Sequence, residues 1–364
     1  MSFGARAVIR LGAIRHNLQK VRTAAAGARV IAVIKGNAYG HGLLAVAEQL
    51  ATADSLAVAR LSEASRLRDA GIKQPIIVLE GAFTPRELDE SLARQLELVV
   101  HCEAQLAMLE ARQRGDAVVW LKIDTGMHRL GFDAGDIDRL RTRLAQCPAV
   151  REVRLMTHLA NADDRKSDRT HRQLDRFSTL LRGFDGQFSI ANSAGIFGWP
   201  ATISGNADVS RSWVRAGIAL YGVSPFGGTV GAEFGLQPAM NFEARIIAVK
   251  RVPAGDPVGY GGSWRAPRDT LLGIVCAGYA DGYSRFLPSS TPVLVNGRKV
   301  SLAGRISMDT AALDLGPDSR DAVGDSVTLW GEKLPVEKVA ACAGTIPYTL
   351  LAGVMHRDPP LTIP

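Results

Sequence analysis

The feature that most constrains this chain is a rhythm. After a strand-like AVIR at 7–10 and a helical stretch with Leu11, Ile14, Leu18 and Val21 at helical spacing, apolar runs rich in β-branched residues alternate with amphipathic segments. The runs fall at 30–35, 55–59, 75–79, 97–101, 118–124, 153–159, 188–191 and 213–219. Helices are expected between them at 43–51, 62–70, 86–94, 104–112, 137–145 and 170–181, with a short penultimate connection from Ser193 to Trp199-Pro200. Strands covered on both faces read as unbroken apolar runs, and eight β/α alternations over roughly 200 residues match a parallel barrel. The expected fold is α/β, an N-terminal (β/α)8 TIM-like barrel over 1–225.

Beyond the glycine-rich SPFGGTVGAEFG the rhythm stops. Short strand-like runs follow at 242–249, 271–276, 291–295, 310–315 and 326–330, separated by turn signals at Asn296-Gly297, Gly255-Asp256 and Gly324-Asp325. A mainly β domain over 226–364 is therefore expected, with the opening strand near 7–10 pairing into it. A length of 364 residues suits such a division, since one core rarely serves so long a chain. With 46% hydrophobic and 22% charged residues, disorder and fibrous folds are excluded.

The net charge of +7 first raises nucleic acid or an anionic small molecule as partner. The basic residues are scattered, however, and the densest group, Arg139 to Arg143, reads as a solvated helix face, so no nucleic-acid partner is expected. Cys102, Cys147, Cys276 and Cys342 stand far apart with no CxxC pair and no nearby histidine group. No metal site is expected, and a reduced, cytoplasmic protein fits best. The N-terminus lacks a signal-peptide core and no apolar run reaches membrane-spanning length, so neither export nor a membrane partner is expected.

Barrels of this kind place their chemistry at the C-terminal ends of the strands. The first run closes on Lys35, where partial desolvation favours a neutral, nucleophilic amine; the bland alternative is a lysine that snorkels to solvent. The fifth run contains Lys122, then Asp124, His128 and Arg129. A lysine inside a barrel strand needs a partner or a modification, and an ordinary pair with Asp124 would suffice. The sixth ends in MTHLAN, placing His158 toward the mouth, where a satisfied core histidine is the commoner outcome. Small residues after the seventh and eighth runs, Ser193, Gly217 and Ile218, form the expected barrel phosphate site, although glycines also simply make turns. Arg215 lies on the eighth run. A strand-end lysine, a phosphate cup and converging basic groups jointly indicate a phosphorylated carbonyl cofactor, for which pyridoxal 5′-phosphate is the natural candidate.

These residues sit in motifs that resemble the bacterial alanine racemase family, pyridoxal-phosphate enzymes of the barrel type, over nearly the whole chain. The motifs are VIKGNAYGHG from Val33, LKIDTGMHRLG at 121–131, THLANAD at 157–163, RAGIALYGVSP at 215–225, VGYG at 258–261, GYADGY at 278–283 and GRISMD at 304–309. They occur in family order and spacing. One departure is Gly36, where the family commonly has alanine after the cofactor lysine; it bears on local backbone rigidity.

The resemblance implies an isomerase that interconverts L- and D-alanine by a two-base mechanism and supplies D-alanine for peptidoglycan. Lys35 would form the internal aldimine and serve as base on one face, and Tyr260 would serve on the other. Tyr39, Ser193, Gly217, Ile218 and Tyr348 would hold the phosphate, with Asn192 nearby. Arg215 would face the pyridine nitrogen, and His158 would link Arg215 to Tyr260. Arg129 and the Met308 N–H would receive the substrate carboxylate, Lys122, often carbamylated in the family, would orient Arg129, and Asp309 would support the Met308 loop. Tyr260, Tyr279 and Met308 would come from the partner subunit of a homodimer with shared sites.

Racemisation needs proton removal on one face and delivery on the other, which two opposed bases provide. An arginine at the pyridine nitrogen cannot accept a proton, which limits transamination and decarboxylation. An amino-acid decarboxylase of similar architecture would be expected to carry an acid where Arg215 stands. A single-domain barrel binding the cofactor without turnover would lack the β domain that carries Tyr260.

Overall fold

The computed structural model describes residues 3–205 and 207–363. Eight parallel strands, Arg29–Val33, Ser55–Val58, Ile76–Val78, Glu97–Val100, Ala117–Asp124, Val150–Met156, Phe188–Ser189 and Ser212–Ala216, pair in chain order, and the last returns to the first in register Arg215 to Ile31. The barrel is closed. Alternation along each strand sorts its residues: Ile31, Val33, Ala57, Ile77, Val99, Trp120, Met156 and Trp213 fill the interior. Val30, Ala32, Ile34, Leu56 and Val58 face the surrounding helices.

The N-terminal end of the barrel interior is sealed by a buried polar stack. Glu97 and Arg154, each 8% exposed, meet at 3.2 Å, and the fully buried Trp120 donates its indole N–H to Glu97 at 2.7 Å. The Arg154 guanidinium lies over both Trp120 and Trp213. Chemistry is left to the other end.

The expected helices form within one or two residues of their predicted bounds, for example Ile137–Ala145 and Arg169–Leu180. Several strands stop earlier than their apolar runs. The first ends at Val33, so that Lys35 opens a tight turn, and the sixth ends at Met156, which leaves His158 in the following loop. Apolar character continues past the strands because the loop residues are also packed: Ile34 is fully buried and Leu159 is 3% exposed.

The C-terminal domain is a second closed sheet. Strands Thr270–Val275, Ala311–Gly316, Arg298–Leu302, Pro292–Val295, Ser326–Trp330 and Met240–Val252 pair in that order, and the last also pairs with the first. A bulge between Ile246 and Ala248 lets the 13-residue strand Met240–Val252 serve both neighbours. Its core holds Phe242, Tyr283 and Trp330. As expected, the opening strand Arg6–Arg10 joins this sheet, antiparallel to Met240–Val252 and parallel to Leu361–Ile363. Helix Leu11–Ala24 then carries the chain to the barrel, where buried Asn17 binds the Leu220 and Gln237 carbonyls and the Gln237 N–H. The linker is clasped from the other side by Glu337, whose Oε1 accepts from Ser224 and Gly231.

Candidate active site

Lys35 begins a turn of unusual hand. Gly36, Asn37, Ala38 and Tyr39 have φ of 62°, 54°, 55° and 51°, and Gly40 follows at 80°. Three of these carry side chains, for which the left-handed conformation costs about 1–2 kcal/mol each. Such a segment persists only where its surroundings over-determine it. Asn37 Oδ1 accepts from Leu43 N–H at 3.0 Å, and His41 Nδ1 lies 2.9 Å from the Tyr39 carbonyl. Burial lowers the His41 pKa to about 4, so its neutral ring donates there. His356 Nε2 reaches the Gly40 carbonyl at 2.7 Å, and a Cβ on Gly40 would lie 2.1 Å from the Leu351 carbonyl oxygen. At the lysine end, Gly36 N–H donates to Glu63 Oε1 at 2.7 Å.

The same turn delivers Tyr39 to the far side of the mouth. Its ring stacks on Tyr221 at 4.7 Å and approaches Tyr348 at 5.9 Å. A Cβ on Gly217 would stand 2.6 Å from the Tyr39 hydroxyl, so only glycine leaves this cradle open. Ser193, 4% exposed, accepts the Gly217 N–H at 3.0 Å through Oγ, which leaves its O–H free to donate. Asn192 caps the short helix Ser193–Gly198 by accepting from Gly195 N–H, and Ile218 opens a 3-10 turn beside it. Tyr39, Tyr348, Asn192, Ser193, Gly217 and Ile218 are thus brought together around a small-residue cup that suits a phosphate.

The opposite side of the mouth is cationic. Arg215, 5% exposed, donates to Ser189 Oγ at 2.6 Å and to the Thr157 and Ile190 carbonyls at 2.6 and 3.1 Å. Burial lowers its pKa to about 10, which still leaves it a cation at neutral pH. Its Nη2 stands 3.4 Å from His158 Nδ1. Because arginine only donates, Nδ1 accepts and the His158 proton sits on Nε2. Burial and then Arg215 push the His158 pKa well down, so the ring is neutral.

Lys122 is half-buried, and its pKa falls to about 8 through burial, then Arg215, Arg129 and Lys35. The expected alternative, a pair with Asp124, is absent among the described residues. Asp124 Oδ1 instead accepts from the N–H groups of Gly126, Met127 and His128, and Oδ2 faces the His128 ring at 3.3 Å. Arg129 is exposed, with no carboxylate in ion-pair range among the described residues. The Lys35 pKa is also lowered, by desolvation first and then by Arg129. Among the described residues none of Lys35, Lys122, Arg129 and Arg215 forms an ion pair with a carboxylate, so the site favours anions.

The remaining predicted residues form a second cluster, on the C-terminal domain. Tyr260 is 63% exposed and Met308 55%. Arg285 lies over the Tyr260 and Tyr279 rings at 5.6 and 5.8 Å. Tyr279 and Ala280 donate their N–H groups to the Ser307 and Met308 carbonyls, and a Cβ on Gly278 would fall 2.1 Å from the Met308 oxygen. Arg357 Nη1 binds Asp309 at 2.6 Å and Asp281 at 3.3 Å, locking the two loops together. Among the described residues, no hydrogen bond or ring contact joins Tyr260, Tyr279 or Met308 to Lys35, His158 or Arg215 within one chain.

Some supporting residues gave no sequence signal. Gln173, 2% exposed on helix Arg169–Leu180, binds Thr125 Oγ1, the His158 carbonyl and the Ala160 N–H, tying two strand ends together. Glu63 and Arg357 were also missed. Each acts on residues distant in sequence, which no local pattern marks; only the capping position of Glu63 three residues after Arg60 is visible in sequence.

Known proteins resemble this chain over nearly its whole length. The chain matches the family described as "Alanine racemase, N-terminal domain" over residues 9–225 and "Alanine racemase, C-terminal domain" over 239–361. It is 47% identical over 355 residues to alanine racemase of Yersinia pestis, covering 97% of each chain. It is 48% identical over 353 residues to the biosynthetic alanine racemase of Escherichia coli K12, covering 96% of each. The crystal structure of biosynthetic alanine racemase from Pseudomonas aeruginosa superposes with a TM-score of 0.94 at 41% identity, covering all of both chains. The chain therefore belongs to the alanine racemase family.

Proposed function

We propose that this protein is a pyridoxal-phosphate-dependent amino-acid racemase that interconverts L- and D-alanine at two sites shared across a homodimer. The observation that carries the reading is the juxtaposition, at one barrel mouth, of Lys35, the Tyr39–Ser193–Gly217 cradle and the Arg215–His158 pair. Residues 1–225 form the cofactor-binding half, and 226–364 supply the second base.

The cofactor, bound through Lys35, would draw electron density from the substrate α-carbon and so acidify its C–H bond. Ser193 Oγ, the Gly217 and Ile218 N–H groups and the Tyr39 and Tyr348 hydroxyls would bind its phosphate, with Asn192 shaping the cup. Lys35 Nζ, freed when the substrate amine displaces it from the cofactor, would hold the proton on one face of the α-carbon. Tyr260 of the partner subunit would hold it on the other, and His158 Nε2–H would donate to the Tyr260 oxygen. Arg215, a cation held by three oxygens, offers the ring nitrogen no proton acceptor. Arg129 and the Met308 N–H receive the carboxylate, while Tyr279 and Asp309 complete the partner's loops. Lys122, with its pKa lowered to about 8, keeps a fraction of neutral amine at neutral pH, the form that takes up carbon dioxide as a carbamate, which would give Arg129 its missing anion.

No described helix is long and apolar enough to cross a membrane. We place the enzyme in the cytoplasm, supplying D-alanine for peptidoglycan. The test is complementation. Lys35→Ala and Tyr260→Ala homodimers should each be inactive, and hybrid dimers should recover racemisation measured by circular dichroism. No recovery in confirmed hybrids would defeat the shared-site reading.

A further inference from the structure

The left-handed turn is held unevenly. Its far end is fixed by Asn37, His41, His356 and Leu351. At its near end, where Lys35 stands, the side chain bound to the turn's backbone is Glu63, on helix Leu61–Asp69. We propose that Glu63 is a positioning residue for Lys35, its carboxylate tying the first residue of the turn to the exit of the adjacent barrel strand and so fixing where the lysine amine stands. The proposal rests on Lys35 being the cofactor-binding lysine.

The two carboxylate oxygens have separate duties. Oε2 accepts from Ala59 N–H at 2.9 Å and Arg60 N–H at 3.2 Å, the ordinary return of a third-position glutamate to the start of its own helix. Oε1 accepts from Gly36 N–H at 2.7 Å, a bond that spans 27 positions and contributes nothing to the cap. The carboxylate therefore bridges the ends of the first two barrel strands. Gly36 is the residue next to Lys35 in the chain, so the bond acts one peptide away from the lysine. Glycine at 36 makes this fixing more important, since it resists backbone rotation less than a residue with a Cβ.

The charge acts in the same place. Glu80 and Glu63 are the acids whose fields raise the Lys35 pKa, against desolvation, Arg129 and Arg215; Lys122 and His158 face it too. Glu80 is itself 3.6 Å from Arg60. Loss of the Glu63 charge should therefore make Lys35 easier to deprotonate, while loss of its hydrogen bond should leave the amine misplaced.

The experiment strips the dimer of cofactor, adds pyridoxal 5′-phosphate, and follows growth of the lysine-bound visible absorbance against pH. Glu63→Ala should lower the plateau capture rate about tenfold. It should also lower kcat more than it raises KM for alanine. Glu63→Gln keeps an acceptor but no charge; its plateau should fall less, and its capture midpoint should move to lower pH. Normal plateau and midpoint in both variants, alongside a lowered thermal midpoint, would make Glu63 a helix cap only and overturn the proposal. If Glu63→Ala does not fold, the midpoint of Glu63→Gln decides. A Lys35→Ala control separates the two claims: unchanged absorbance growth there removes Lys35 as the cofactor lysine, whatever the Glu63 variants do.

Discussion

At the barrel mouth Ser193 and Arg215 are 4% and 5% exposed and are held by neighbouring strand ends, whereas on the C-terminal domain Tyr260 and Met308 are 63% and 55% exposed on loops that brace one another. The first group is rigid because the barrel strands that carry it also close the core. The second is ordered by backbone zippering and by Arg357, yet faces outward. A cluster that is well ordered and displayed fits a surface meant to complete another chain's site. The difference teaches that one cluster is fixed by the barrel core and the other by its own loops, which supports the proposed sharing of sites between subunits.

The largest expected effect tests the barrel cluster. Lys35→Ala should cost at least about 10³-fold in turnover, since both anchorage and a base are lost, and should abolish the visible absorbance of the lysine-bound cofactor. Absorbance that survives dialysis would contradict the assignment.

A paired measurement sets the two regions directly against each other. Glu97→Ala leaves the Trp120 N–H and the Arg154 Nη1 group buried without an acceptor, although Glu152 still holds Arg154 Nε and Nη2, and should lower unfolding stability in urea by about 2 kcal/mol. Arg357→Ala removes a solvent-exposed ion pair of little consequence for stability, but loosens the Tyr279 and Met308 loops. Its kcat/KM should fall severalfold with little loss of stability. Equal stability losses in the two variants would erase the distinction.

Smaller effects follow. The Lys122 amine is neutral above about pH 8, so carbamate formation should grow as pH rises through that value. Labelled bicarbonate should give a carbonyl resonance in the wild type that Lys122→Arg lacks. Gly36→Ala should cost about 1 kcal/mol of stability, since a Cβ there meets nothing within 4 Å but the left-handed φ of 62° is strained for alanine. Met308→Ala should be mildest, raising KM for alanine less than about threefold because the backbone N–H is kept. A large effect would mean that the side chain itself makes a contact.

The barrel was legible because strands buried on both faces leave unbroken apolar runs, and the residues following those runs, Lys35, His158, Ser193 and Gly217, do reach the mouth. The turn after Lys35 was not. Its left-handed φ values at Asn37, Ala38 and Tyr39 arise from tertiary clamps and leave no composition signal. Strand Arg298–Leu302 escaped notice because its exposed face is basic and polar, and Leu361–Ile363 because it is three residues long. Helices Val336–Cys342 and Pro347–Ala352 are too short for periodicity to mark them. The positions in the second cluster came from the motif resemblance; nothing in the spacing of Tyr260, Tyr279 and Met308 announces that their loops touch.

The pairing of Arg6–Arg10 with Met240–Val252 and Leu361–Ile363 also governs when this molecule can be finished during its own synthesis. Strand Arg6–Arg10 leaves the ribosome well before its neighbour Leu361–Ile363, which emerges about 350 residues later, roughly 20–70 s at ordinary elongation rates. The barrel strands have all been made by residue 216, so the nascent chain can close its first core while residues 6–10 still lack a sheet. Residues 6–10 and 361–363 then pair as a late seam of the second sheet. Completion of that sheet should accordingly wait for residue 363 to emerge, and a substitution such as Val8→Pro, which breaks the 6–10 pairing, should delay it.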